Sequence, residues 1–196
     1  MTNFIVHTED TAPNDSKPVL AGVKEAYGFI PNLMAVFSES PAAVEAYAAL
    51  SGIFDKSDFT ATERQIILMT NNRLNGCTYC MAAHTSISQM QGVSSEVLEA
   101  LREGRSLTDP KLEALRVFAA KVNKNRGVLS QPDLDAFLAA GYTKANILEV
   151  ILGTGLKVLS NYTNHVAETP VDANFQANAW TAPSAADDAR AFAVVD

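Results

Sequence analysis

The chain has 196 residues, 47% of them hydrophobic and 19% charged, with a formal net charge of −7. That suits one compact domain, or one domain with extended arms, and argues against wholesale disorder. An acidic chain repels phosphate backbones, which excludes nucleic acid as an expected partner, and its apolar stretches are too short and too often interrupted to span a membrane.

The pattern of helix starts and stops reads all-α, without sustained period-two alternation or hairpin turns. The segment Met1 to Asp10 has neither a basic patch nor a long apolar run, so no secretory leader is expected and a cytoplasmic location is the default. His7 reads as solvated on an arm. Lys17 to Tyr27 is expected to be helical and to stop at Gly28. Ser40-Pro41 reads as an N-cap followed by proline in the first turn, opening a helix over Ala42 to Phe54. Thr60 and Glu63 fit a capping box for a helix running to about Leu74, where Asn75-Gly76 breaks it. The next helix is expected from about Cys77 to Gly92.

Ser94 or Ser95 starts a short helix to Arg102. Asp109-Pro110 opens another, with Leu112, Leu115, Val117, Phe118 and Val122 as its apolar stripe, closed by Gly127. Ser130 to Asp133 begins a short helix ended by Gly141. The last helix is expected over Thr143 to His165, with Ile147, Val150, Ile151, Leu156 and Leu159 inward. Gly153-Thr154-Gly155 follows no strand and reads as close helix packing. Met69, Met81 and Met90 read as core. From Pro170 the pattern fades, although Phe175 and Trp180 suggest docking, and Ala182 to Asp196 reads as mobile. The whole, residues 1–196, is expected to be a single domain with a tail over 170–196.

The chemistry is concentrated in Cys77-Thr78-Tyr79-Cys80-Met81-Ala82-Ala83-His84. Residues three and four apart share a helix face, so both thiols and the imidazole are expected to point the same way. Cys77 is placed in the first turn, where free amides and the helix dipole stabilise a thiolate. His84 is expected to accept the Cys80 proton or to pair with its thiolate, and the second cysteine then resolves an oxidised first one into a disulfide. Two rival readings stand beside this one. The cysteines are small buried hydrophobes, or Cys77, Cys80, His84 and the distant His165 form a Cys2His2 zinc module.

The run Glu63-Arg64-Gln65-Ile66-Ile67-Leu68 through Leu74-Asn75-Gly76-Cys77-Thr78-Tyr79-Cys80-Met81-Ala82-Ala83-His84 resembles the carboxymuconolactone decarboxylase/AhpD-like family, in its peroxidase-related branch. So does Gly28-Phe29-Ile30-Pro31-Asn32-Leu33-Met34. The core of the resemblance covers about Pro41 to Lys124. It implies an all-α AhpD-like fold, assembly as a homo-oligomer (trimer or hexamer), and reduction of alkyl hydroperoxides without a cofactor.

By the same resemblance Cys80 attacks the peroxide, Cys77 resolves it, and His84 belongs to a proton relay. A dithiol partner, lipoylated or thioredoxin-like, re-reduces the pair. The family's relay glutamate falls at Gln65, which can orient His84 but not take up a proton. The family's histidine before the second cysteine falls at Tyr79, a poor base able to donate a hydrogen bond. His165 reads first as a helix C-terminal cap; the alternative is that it or Glu149 enters the cysteine pocket in place of the missing glutamate. The name-giving decarboxylase or lactone-processing chemistry is a third functional reading, which works without the cysteine pair.

Overall fold

The computed structural model describes residues 4–184. Among them are nine α-helices and no strand: α1 Lys17–Tyr27, α2 Asn32–Phe37, α3 Pro41–Phe54, α4 Ala61–Leu74, α5 Thr78–Met90, α6 Ser95–Glu103, α7 Pro110–Lys124, α8 Gln131–Ala139 and α9 Lys144–Ala167. Two 3-10 turns, Asn14–Ser16 and Ala173–Asn178, flank this set. The expected mobility of the stretch ending at Asp196 lies, beyond residue 184, outside the described residues. No described helix is long and apolar enough to cross a membrane.

Caps fix the boundaries. The Thr60–Glu63 box opens α4, with the Thr60 amide donating to Glu63 Oε2 at 2.9 Å. Ser40, Asp109 and Ser130 cap α3, α7 and α8, and a Thr143–Asn146 box opens α9. Each cap satisfies amides that a helix start leaves without partners.

α4 is the central rod. It is buried over most of its circumference and packs against α5, α7 and α9. Ile66, Ile67, Met69, Leu115, Phe118, Val150 and Leu156 form the main core with Phe54 of α3. Phe118, Phe137 and Tyr142 stack in series at centroid separations of 4.0 and 4.5 Å. Gly153 lets α9 approach closely, because a Cβ there would lie 2.8 Å from the Phe54 ring and 2.9 Å from Ile67. Gly155 faces open space instead. A second cluster, with Leu20, Val23, Leu33, Met34, Phe37 and Val44, surrounds both cysteines.

The structure differs from the expectations at several places. α5 starts at Thr78, so Cys77 is its N-cap, with extended backbone, rather than a first-turn residue. α2 was unforeseen, because six residues are too few to show a period. On α9, Ile151 and Leu159 point outward, together with Leu148, Tyr162 and Val166. Met90 is exposed rather than in the core. His7 is buried, not solvated, and bonds Glu39 at 2.7 Å and Thr11 at 3.2 Å.

The segment after α9 forms a strap that runs back over α5. Asp172 accepts from the Asn32 amide at 3.0 Å and from the Tyr79 hydroxyl at 2.6 Å. Phe175 packs edge-on to Phe29 and Tyr79. Asn178 bonds Ser86 and Gln89, and Trp180 donates to the Arg102 carbonyl. The expected docking of Phe175 and Trp180 is therefore found.

Candidate active site

Asn75-Gly76 ends α4, and Gly76 adopts a left-handed φ of 64° that turns the chain into α5. Cys77 caps α5 through its sulfur, which accepts from the Cys80 amide at 3.4 Å. Cys80 lies in the first turn of α5, and His84 follows one turn later. Both cysteines are free thiols and both are buried.

The two sulfurs have different surroundings. Asn164 of α9 reaches between them, its Nδ2 lying 3.1 Å from Cys80 Sγ and 3.7 Å from Cys77 Sγ. Burial alone would raise the Cys80 thiol. A hydrogen bond from Cys77, the Lys157 ammonium, and hydrogen bonds from Ser160 and Asn161 overcome it and bring Cys80 down to about 5. Cys77 goes the opposite way, raised by its hydrogen bond to Cys80 and then by burial. The negative charge of the pair thus rests on Cys80. This corrects the placement of the stabilised thiolate at Cys77, because at the N-cap its sulfur is one partner of a single amide and donates its own proton to Cys80.

His84 does not stand alone. Its Nδ1 is 2.9 Å from Gln65 Oε1, and its Nε2 is 2.9 Å from Lys157 Nζ. Gln65 donates through its own Nε2 to Gln91 Oε1 at 3.1 Å, which leaves its Oε1 as an acceptor. The imidazole therefore carries its proton on Nδ1 and accepts from Lys157 on Nε2. Burial, reinforced by the Lys157 charge, holds His84 well below its ordinary range, so the ring is neutral.

Tyr79 is turned to the strap. Its one proton goes to Asp172 and its oxygen accepts from the Leu33 amide at 3.1 Å. Its hydroxyl is raised by burial and by Asp172. His165 is exposed, on the rim of a recess of about 290 Å³ that reaches Cys77. Glu149 caps the Asp58 amide and accepts from Asn146, so it does not serve the cysteines. The zinc set is not assembled, because His84 Nε2 is committed to an ammonium. Among the described residues, no cluster of three or more His, Cys, Asp or Glu is placed to hold a metal.

Sequence reasoning did not find Lys157, Asn164, Asn161 or Asn72. Asn72 donates to the Cys80 carbonyl at 3.1 Å and accepts from Asn161 at 3.0 Å, which ties α4, α5 and α9 together beneath the sulfurs. The available signal was Asn71-Asn72 with Asn75 on α4, and Asn161 with Asn164 on α9. Asparagine is a poor helix former, so its recurrence mid-helix needs a reason.

Cys80, His84 and Lys157 lie at the floor of a cleft of about 1210 Å³. Its walls come from α1, α2, α3, α5 and the strap, and include Val19, Val23, Phe29, Leu33, Met34 and Phe175. This arrangement provides a nucleophilic sulfur, a second thiol within reach and an apolar binding space.

Comparison with known proteins bears on the fold. Residues 38–121 match the Carboxymuconolactone decarboxylase family. No curated protein sequence matches the chain. Among solved structures, the fold is similar to an AhpD-core, peroxidase-related protein from Ralstonia eutropha, with TM-score 0.79 and 22% identity over 88% of this chain and 93% of that one. A peroxidase-related protein from Silicibacter sp. gives 0.76 and 18%, over 88% and 93%. The debrominase Bmp8, in complex with 2,3,4-tribromopyrrole, gives 0.75 and 17%, over 91% and 95%. The match over residues 38–121 is to part of the chain, and its described residues take an all-α fold similar to that of the AhpD-core protein.

Proposed function

We propose that the protein is a thiol peroxidase that reduces organic hydroperoxides through Cys80 and Cys77. The observation that carries this reading is the placing of the pair: Cys77 caps α5, Cys80 lies in its first turn with Asn164 Nδ2 3.1 Å from its sulfur, and these surroundings with the Lys157 charge favour a thiolate at Cys80. The Cys80 thiolate attacks the terminal oxygen of the hydroperoxide. A sulfur–oxygen bond forms, the O–O bond breaks, and the alkoxide leaves as an alcohol after gaining a proton. Cys77 sulfur then attacks the sulfenic acid, water leaves, and a disulfide closes. An external dithiol, lipoylated or thioredoxin-like, returns two electrons and two protons. Each step balances without a metal or an organic cofactor.

The cleft supports an organic rather than an inorganic peroxide, since its volume and apolar walls match a ligand with a hydrocarbon body. Similar solved structures that are peroxidase-related support the reaction class. The dithiol distinguishes this chain from decarboxylase or lactone chemistry. Residues 1–196 are read as one domain, its family core at about 41–124 and its tail at 170–196. The outward apolar seam of α9, with Leu148, Ile151, Leu159, Tyr162 and Val166 at spacings of three or four once Gly155 is included, supports a homo-oligomer.

The test is consumption of tert-butyl hydroperoxide with dithiothreitol. Wild type turns over and Cys80→Ser does not; with no dithiothreitol present, one equivalent of peroxide leaves Cys77→Ser as a sulfenic acid that dimedone traps. Equal turnover by wild type and Cys80→Ser overturns the reading.

A further inference from the structure

Lys157 sits in the middle of α9 with none of its surface exposed. Its one hydrogen-bond partner among the described residues is a neutral imidazole, His84 Nε2. A buried ammonium needs an anion, because a neutral partner does not replace the water it has lost.

The helices packed on α9 offer few candidates. α2 contains no ionisable side chain. α3 brings Tyr47, whose hydroxyl is raised by burial and by Cys80 and so stays protonated, and an exposed Glu45. α4 brings the neutral Gln65 at this level. Its Glu63 is engaged by Thr60 and Tyr142, its Arg64 by the Phe59 carbonyl, and its Arg73 by the Arg102 carbonyl. On α7, Arg116 pairs with Glu113, Lys121 with Asp133 and Lys111 with Glu63. α5 and its cap bring His84, Cys80 and Cys77. Asp55 lines the same cleft but is exposed and lies 3.8 Å from Arg64, which leaves the Cys80 sulfur, one helical turn from His84 and in the same cleft as Lys157.

We propose that Lys157 is the proton donor of the oxidative half-reaction: it pairs with the Cys80 thiolate at rest and passes one proton to the alkoxide released when the O–O bond breaks. The inference rests on the peroxidase reading above. At rest the site holds thiolate and ammonium. Attack forms Cys80 sulfenic acid, while the alkoxide takes a Lys157 proton and leaves as an alcohol beside a neutral amine. Cys77 thiol and the sulfenic acid then give disulfide and water. The dithiol reduces the disulfide to two thiols, and the Cys80 proton moves to the Lys157 amine, restoring the ion pair. The site carries no net charge at any stage, so no unpaired ion is ever buried. His84 positions the donor: its Nδ1 is fixed by Gln65, which aims its Nε2 lone pair at Lys157 Nζ.

Two variants separate the roles of Lys157. Lys157→Met is of similar length and keeps the core filled; Lys157→Arg keeps the charge but does not release a proton. Two measurements are made on each in the Cys77→Ser background, with circular dichroism as the folding control. One is the pH dependence of thiolate absorbance and of iodoacetamide reaction, which needs no peroxide. The other is the single-turnover rate of Cys80 oxidation by tert-butyl hydroperoxide.

Cys80 of the wild-type chain is expected to ionise near pH 5, and the Cys77→Ser chain with Lys157 intact, which has lost the Cys77 hydrogen bond, is the reference for both variants. Lys157→Met is expected to ionise at least one unit higher, so about tenfold less thiolate is present in the acid range. Lys157→Arg is expected to ionise like the reference, yet to be oxidised on the order of a hundredfold more slowly. Addition of methylammonium is expected to restore part of the Lys157→Met rate. An unchanged titration in Lys157→Met overturns the ion pair, and the reference oxidation rate in Lys157→Arg overturns proton donation. If wild-type Cys80 ionises as expected but no hydroperoxide oxidises it, the peroxidase reading fails instead.

Discussion

At the scale of single residues, the site is organised by what His84 is denied. A carboxylate at position 65 would let the ring become a cation. Gln65 and Lys157 between them keep it neutral. The folded-state value lies below the ordinary 6.5. The unfolded chain therefore binds the extra proton first as pH falls, and the stability contributed by neutral His84 is complete above pH 6.5 and lost progressively below it. Urea unfolding between neutral and mildly acidic pH is expected to show this decline in wild type, with a shallower slope in His84→Gln. Tyr79→Phe removes one hydrogen bond to Asp172 and one from Leu33 inside a buried network, and about 1–3 kcal/mol of unfolding free energy is expected to go with them. Cys77, Cys80 and His84 could be related in sequence because they lie three and four apart on one helix, whereas Gln65 entered only through the family resemblance. Lys157 was not legible there. It lies 73 positions from His84, and a lysine in a helix reads as solvent-facing until the fold encloses it.

At the scale of elements, α9 presents two faces with opposite requirements. The inner face depends on Gly153, where a Cβ would press into the Phe54 ring and Ile67. Gly153→Ala is expected to cost about 1–3 kcal/mol, measured as a lower Tm, because both neighbours are core residues with little room to move. The outer face is an apolar seam, and Tyr162→Glu is expected to reduce the assembled mass measured by light scattering without lowering helix content. Caps made most helix limits readable, because Thr60–Glu63, Asp109 and Ser130–Asp133 act within one turn. Ile151 and Leu159 were misassigned for a physical reason. Periodicity tells which residues share a face, and says nothing of whether that face meets the same chain or another. Thr78 rather than Cys77 begins α5 because the Cys77 sulfur itself acts as the cap acceptor.

At the scale of the whole molecule, the strap is part of the site. Asn174, Phe175 and Asn178 wall the cleft, and Arg102 fastens the strap by donating to the Asn178 and Ala179 carbonyls. A chain ending at Pro170 is expected to bind cumene hydroperoxide several-fold more weakly, seen as a higher KM, and to unfold at a lower urea concentration. Docking of Phe175 and Trp180 could be anticipated because large aromatic side chains seek burial. The route over α5 could not, because it depends on Asp172 meeting Asn32, 140 positions away.

That long closure orders events during synthesis. Both cysteines, His84 and Lys157 leave the ribosome before Asp172 does. Until Asp172 reaches the Tyr79 hydroxyl and the Asn32 amide, α2 has no cap and the cleft lacks a wall. A nascent chain can thus hold every sulfur and nitrogen of the centre before Asn174, Phe175 and Asn178 close one wall of the cleft.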